Sequence, residues 1–209
     1  MQNLLKINLR IMYKFFNLVF VLFISSCSHI ERNKETIKVN ENILQMEIIK
    51  SFSKELLKEP KNEILFFDRG IAKYEYGDYQ GAINDFDKAF QISGDLSILY
   101  PRAISKIDYG DYEGAINDYK KLLIIPDLKK EIYLDIGLIN FYTFDYQSAL
   151  SYFDKVIDEV EINHRNFLYR GDSNFRLSNY KAAKKDYDKA IQLNNKSYLT
   201  FNNRGVNYY

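Results

Sequence analysis

Downstream of residue 62 the apolar and small residues recur with a helical spacing inside a longer period. The stretch YGDYQGAINDFDKAF at 76–90 returns as YGDYEGAINDYKKLL at 109–123. Weaker versions follow as TFDYQSALSYFDKVI at 143–157 and LSNYKAAKKDYDKAI at 177–191, so successive copies stand 33 or 34 residues apart. Let residues 63, 96, 130 and 164 each be position 1 of the repeat. Position 8 is then Gly70, Ala103, Gly137 and Gly171, with Gly205 in a fifth, partial copy, and position 17 is Tyr79, Tyr112, Tyr146 and Tyr180. Position 20 is Ala82, Ala115, Ala149 and Ala183; position 24 is Phe86, Tyr119, Phe153 and Tyr187; position 27 is Ala89, Leu122, Val156 and Ala190. Positions 20, 24 and 27 are spaced i, i+4, i+7 and so share one helix face.

Small residues at 8 and 20 let two antiparallel helices approach, and the aromatic at 24 fills the space beside them. Gly77-Asp78 and Gly110-Asp111 supply a short turn with a carboxylate that can cap the next helix. Pro60 and Pro126 fall at repeat boundaries, where a helix stops. The unit is therefore helix–turn–helix. The spacing predicts A helices near 63–76, 96–109, 130–143, 164–177 and 198–208, and B helices near 79–92, 112–124, 146–159 and 180–193. Pro101 is compatible with the second A helix if that helix starts late and holds the proline in its first turn.

This pattern resembles the tetratricopeptide repeat, a unit of 34 residues. The resemblance covers 63–209, divided as 63–95, 96–129, 130–163 and 164–197, with a half repeat at 198–209. It implies an all-α fold: a right-handed superhelical solenoid of antiparallel helix pairs, four full repeats with a half repeat at each end. The helix expected at 41–60 is the amino-terminal half repeat and cap, since each unit buries its face only against a neighbour. The chain departs from the family at position 4, where Phe66, Leu99, Tyr133, Phe167 and Phe201 replace Trp. It departs again at position 11, with Lys73, Lys106, Asn140 and Asn174 in place of Tyr, and copy three has Phe144 where the turn glycine belongs.

The amino terminus carries a different signal. Lys6, Arg10 and Lys14 precede an apolar run, Phe15–Ile24, broken by Asn17. That run is about half of the roughly 20 residues a membrane-spanning helix needs, so it reads as a signal peptide at 1–26. Ile24-Ser25-Ser26-Cys27 resembles a bacterial lipobox, which implies a lipidated Cys27 followed by a flexible tether over 27–40. An ordinary secretory signal with a chance cysteine is the alternative, and Met12 is a second candidate start. Losing Lys6, Arg10 and Lys14 leaves 26 basic residues against 28 acidic ones. The near balance gives no nucleic-acid footprint.

Catalytic and metal motifs are absent from the sequence. All nine glycines fall on repeat slots, so none is left for a phosphate loop, and the lone Cys and two His build no metal cluster or nucleophile–base pair. The reading is of a protein that is no enzyme and takes no cofactor or metal. The DFD at 85–87 and DYD at 186–188 lie inside B helices, where they are expected as solvated helix faces.

In the resembled family the A helices line a binding groove through positions 2, 5, 9 and 12. The resemblance thus implies a partner groove of Ile64, Phe67, Ile71, Tyr74, Tyr100, Ile104, Ile107, Leu134, Leu138, Phe141, Leu168 and Phe175, with Ser97, Glu131, Arg165 and Asp172 completing the set. The lysines and asparagines with which some members clamp a peptide carboxylate are missing, and the apolar, aromatic lining suits an amphipathic helix or apolar peptide. Close packing of the repeats that buries these residues is the competing reading. Three roles fit. The first is an adaptor lipid-anchored in the bacterial envelope, on the outer membrane if there is one, binding a protein or peptide. The second is a structural lipoprotein that self-associates through the helix at 198–208, and the third an accessory recognition subunit of an uptake system.

Overall fold

The computed structural model describes residues 31–159 and 163–194, with side chains over 42–157 and 163–194. The signal peptide expected at 1–26, Cys27 and the half repeat expected at 198–209 lie outside the described residues. Among the described residues the regular structure is helical throughout. The helices are α1 (Glu31–Leu56), α2 (Glu63–Tyr76), α3 (Tyr79–Ser93), α4 (Leu99–Tyr109), α5 (Tyr112–Leu122), α6 (Lys129–Tyr142), α7 (Tyr146–Glu159), α8 (His164–Arg176) and α9 (Tyr180–Leu193). The boundaries follow the repeat closely. Helix α4 does start late, after a 3-10 turn at Leu96–Ile98, and Pro101 sits in its first turn. One difference is at the start: α1 is already helical at Glu31, so residues 31–40 are not the flexible tether expected there. No Gly or Pro interrupts the chain between Glu31 and Pro60, so nothing in that run forces a break.

The helices fall into two compact units, one ending at Asp111 and the other beginning at Tyr112. In the first, α1 packs on α2, α2 on α3 and α3 on α4; in the second, α6 packs on α5 and α7, and α8 on α7 and α9. Within repeats one, three and four the A and B helices meet through the same small-against-large contact. A Cβ added at Gly70 would lie 2.8 Å from the ring of Phe86, one at Gly137 2.8 Å from Phe153, and one at Gly171 2.7 Å from Tyr187. Position 8 must therefore be small because the ring at position 24 lies against its backbone. The alanines at position 20 and the residues at position 27 are fully buried in all four copies.

The turns between A and B helices share one backbone feature. Gly77 and Gly110 have φ of 92° and 96°, and Phe144 and Ser178 at the same place keep φ of 66° and 63°. This left-handed cap lets the following N–H reach back to the helix: Asp78 N donates to Lys73 O, and Asp145 N to Asn140 O. Losing the glycine in copy three changed the cost of the turn and left its shape alone. Asp78 then caps α3, its Oδ1 accepting from Gly81 N at 2.9 Å.

Candidate functional site

The side chains that anchor the A helices are charged, and the sequence reading missed them. Asp85 and Asp186, the first residues of DFD and DYD, were expected on solvated faces but are only 3% and 4% exposed. Position 23 turns toward the A helix of its own repeat, where an arginine at position 7 receives it. Arg69 donates through Nε and Nη2 to Asp85 at 2.7 and 2.6 Å, Lys73 adds a contact of 2.8 Å, and Arg69 Nη1 also donates to Ser53 Oγ on α1. In the second unit Arg170 Nη2 donates to Asp186 Oδ1 at 2.6 Å, and Nη1 reaches Asp154 on α7 at 2.8 Å. Burial works against the charge of Arg170, but Asp186 and Asp154 outweigh it and raise its pKa. Asp87 and Asp188, the outer members of the two motifs, stay exposed as expected. The missed signal was in the sequence: Arg and Asp stand 16 residues apart at 69/85, 102/118 and 170/186, and copy three replaces both at once, with Ile136 and Tyr152.

With these pairs holding the helices, the candidate groove residues divide into two patches. On α2, Phe67, Ile71 and Tyr74 are half-buried and pack against the core of Ala82, Phe86 and Ala89, with the Phe67 ring 5.6 Å from that of Phe86. Tyr74 links this face to α4, its hydroxyl donating to Asp108 Oδ2 at 2.5 Å. Burial first, then Asp108, pushes the Tyr74 phenol well above its usual range. Tyr100, Ile104 and Ile107 of α4 are half-buried too, and burial raises the Asp68 carboxyl on α2. Ile64 stands apart at the start of α2, 62% exposed.

The second patch carries Leu134, Leu138 and Phe141 of α6 with Leu168 and Phe175 of α8, all half-buried. Phe141 is its centre. Its ring lies 5.7 Å from Tyr146, 5.7 Å from Tyr169 and 5.5 Å from Tyr142, while Phe175 meets Tyr180 at 5.6 Å. Tyr169 was missed from sequence because position 6 is Asp68, Pro101 and Asp135 in the other copies. Burial and a hydrogen bond with Tyr142 push its pKa up to about 12. Tyr142 and Phe144 were missed as well and are the open rim of this patch, 64% and 76% exposed. Among the described residues no cluster of three or more His, Cys, Asp or Glu could hold a metal, and no helix is long and apolar enough to cross a membrane.

A family model for the tetratricopeptide repeat matches residues 170–197, and it describes a repeat rather than a catalytic domain. Solved structures match over much more of the chain. The C-terminal part of a TPR repeat-containing protein from Cytophaga hutchinsonii superposes with a TM-score of 0.68 at 19% identity, covering 84% of this chain and 69% of that one. The fold is that of tetratricopeptide repeat proteins. A tetratricopeptide repeat protein from Parabacteroides merdae gives a TM-score of 0.65 at 23% identity, covering 86% of this chain and 70% of that one. YrrB, described as a TPR protein with an unusual peptide-binding site, gives 0.60 at 15% identity over 77% of this chain and 83% of that one. Curated proteins give no match. In tetratricopeptide terms both patches lie on A helices, and the side chains of positions 5, 9 and 12 are half-buried in each.

Proposed function

We propose that this chain is a scaffold that binds an apolar peptide or amphipathic helix of a protein partner on its A-helix faces. A lipid on Cys27 would hold it at a bacterial membrane outside the cytoplasm. One observation carries the binding reading: positions 5, 9 and 12 keep apolar surface half-open, while positions 20, 24 and 27 of the same repeats are closed. A patch of that kind, rimmed by exposed Tyr142 and Phe144, can gain by burial against a partner. YrrB, which has the same fold, is described as having a peptide-binding site, and that is in keeping with this reading. The charges of the A helices support it differently, since Arg69, Arg102 and Arg170 are tied to aspartates and leave the apolar residues to recognition.

Capture from the native envelope with the full chain, followed by binding measurements on Phe67→Glu and Leu138→Glu, tests the site. Each charge is expected to weaken binding at least about tenfold, since a buried apolar side chain contributes roughly 1.5–3 kcal/mol. Lys181→Glu on exposed α9 surface serves as the control. Normal binding by both folded variants would place the partner elsewhere. For the anchor, Cys27→Ser is expected to leave the membrane pellet on fractionation; retention there would remove the lipid from the proposal.

A further inference from the structure

The charges of the first unit are sorted by sign around its A helices. At 3.6 residues per turn, positions 2, 5, 6, 9, 12 and 13 of an A helix share an arc of about 120°, and positions 7 and 11 lie on the far side. Arg69 and Lys73, at 7 and 11 of α2, meet Asp85 on α3, and Arg102, at 7 of α4, meets Asp87. Lys106 stands at position 11 of α4, as Lys73 does on α2. The charged residues left on the open arc are all acidic: Asp68 and Glu75 on α2 and Asp108 on α4, beside Phe67, Ile71 and Ile104. In the second unit the same positions carry both signs, with Glu131, Asp135 and Asp172 against Arg165 and Arg176.

Asp68 decides what can cover this face. It is half-buried and has neither a hydrogen bond nor an ion pair among the described residues, so burial alone acts on its carboxyl and raises its pKa. Glu75 accepts only from an uncharged donor, Gln45 Nε2 on α1 at 2.8 Å, and Asp108 accepts from the Tyr74 hydroxyl. An apolar partner lying over Ile71 would dry the Asp68 carboxylate further, and that is costly unless the partner brings a cation. We propose that this face takes an amphipathic helix of a partner protein whose apolar stripe is bordered by Lys or Arg. The inference rests on the partner reading above and names the chemistry of the partner. Asp68 and Glu75 stand seven residues apart, about 10.5 Å along the axis of α2, so basic residues at i and i+7 of a facing helix meet both.

The test measures binding of synthetic amphipathic helices to the full chain. Two peptides share one apolar stripe and carry either Arg or Gln at i and i+7. The Arg peptide is expected to bind about tenfold more tightly, and Asp68→Asn and Glu75→Gln are each expected to remove about two- to fivefold of that preference. Both substitutions are isosteric, and Asp68→Asn is expected to leave the melting temperature no lower, since it breaks no pair. Asp68→Arg with Glu75→Arg is expected to turn the preference toward a third peptide with Glu at the two positions. Equal binding of the Arg and Gln peptides, both weakened by Ile71→Ala, overturns the charge inference and leaves the apolar partner reading standing. Binding by none of the peptides overturns both. An Arg preference that survives in Asp68→Asn and Glu75→Gln places the cations elsewhere and overturns this site.

Discussion

Repeat one and repeat three solve the same packing problem with opposite chemistry. In repeat one a buried aspartate, Asp85, is held by Arg69 and Lys73, and Gly77 relaxes the turn. In repeat three the arginine's place is taken by Ile136, fully buried, and the aspartate's by Tyr152, whose ring meets Tyr133 at 6.1 Å beneath the ammonium of Lys155. The backbone hardly registers the exchange. Gly137 meets Phe153 as closely as Gly70 meets Phe86, and Ala149 is as buried as Ala82. The fold therefore depends on size at positions 8, 20 and 24. The charged pair is one of two acceptable fillings, provided both members change together. That agrees with the general behaviour of buried ion pairs, where apolar replacement of the pair is tolerated and removal of one partner is not.

The largest expected effect breaks this pairing in half. Asp85→Ala leaves Arg69 and Lys73 without their carboxylate and is expected to cost about 3–5 kcal/mol in urea unfolding. Grafting repeat three onto repeat one, with Arg69→Ile, Lys73→Asn and Asp85→Tyr together, is expected to cost far less. If the graft is as damaging as the single change, the two fillings are not interchangeable.

The next effect asks whether the shared contact is equally strict in both repeats. Gly70→Ala and Gly137→Ala each drive a Cβ against a buried ring and are expected to cost about 1–3 kcal/mol. Similar losses in denaturant midpoint would show that repeat three kept the steric rule when it lost the charges. A tolerant Gly137 would mean that its apolar filling also loosened the packing.

A smaller change runs the other way. Phe144 holds a left-handed backbone that costs a non-glycine residue about 1–2 kcal/mol, and it exposes most of its ring. Phe144→Gly is expected to raise the melting temperature by about 2–4 °C, and Gly77→Phe to lower it by a similar amount. Partner affinity measured on Phe144→Gly separates strain kept for binding from strain without use. In the first case the stabilised variant binds more weakly.

The smallest effect is alkaline. The Tyr169 phenol in the second patch has its folded pKa raised to about 12, from an ordinary value of about 10. A raised value means that the folded state holds the proton more tightly. The stability it contributes is complete below about pH 10 and is lost as the pH rises toward about 12. Tyr169→Phe is expected to flatten the alkaline limb of a stability profile between those values. An unchanged limb would move the effect to other phenols such as Tyr74 and Tyr187, both also raised.

Much of this architecture was legible because the repeat reads the same constraint several times. Ala82, Ala115, Ala149 and Ala183 recur at one helical spacing from large aromatics, and a helix period repeated at 33 or 34 residues admits few packings. The late start of α4 could be read from Pro101, since proline fits a first turn and not a later one. The candidate partner surface was less legible. Its residues came from position numbers, and those numbers passed over Tyr169, Tyr142 and Phe144, which break the repeat and are conspicuous only when the chain is folded.

The sequence by itself determined the helix pairs, their boundaries and the small-against-large contact, because backbone hydrogen bonding and side-chain volume act locally and repeat. Tertiary structure alone decided which of two aspartates two residues apart is buried. Asp85 and Asp87 differ by about 200° around α3, and only the placement of Arg69 on α2 and Arg102 on α4 tells which partner each one meets. It also decided how far the A-helix faces stay open. Phe67, Ile71 and Leu138 could be core or surface by their chemistry, and they are half of each because burial belongs to the neighbours a side chain acquires and not to the side chain alone.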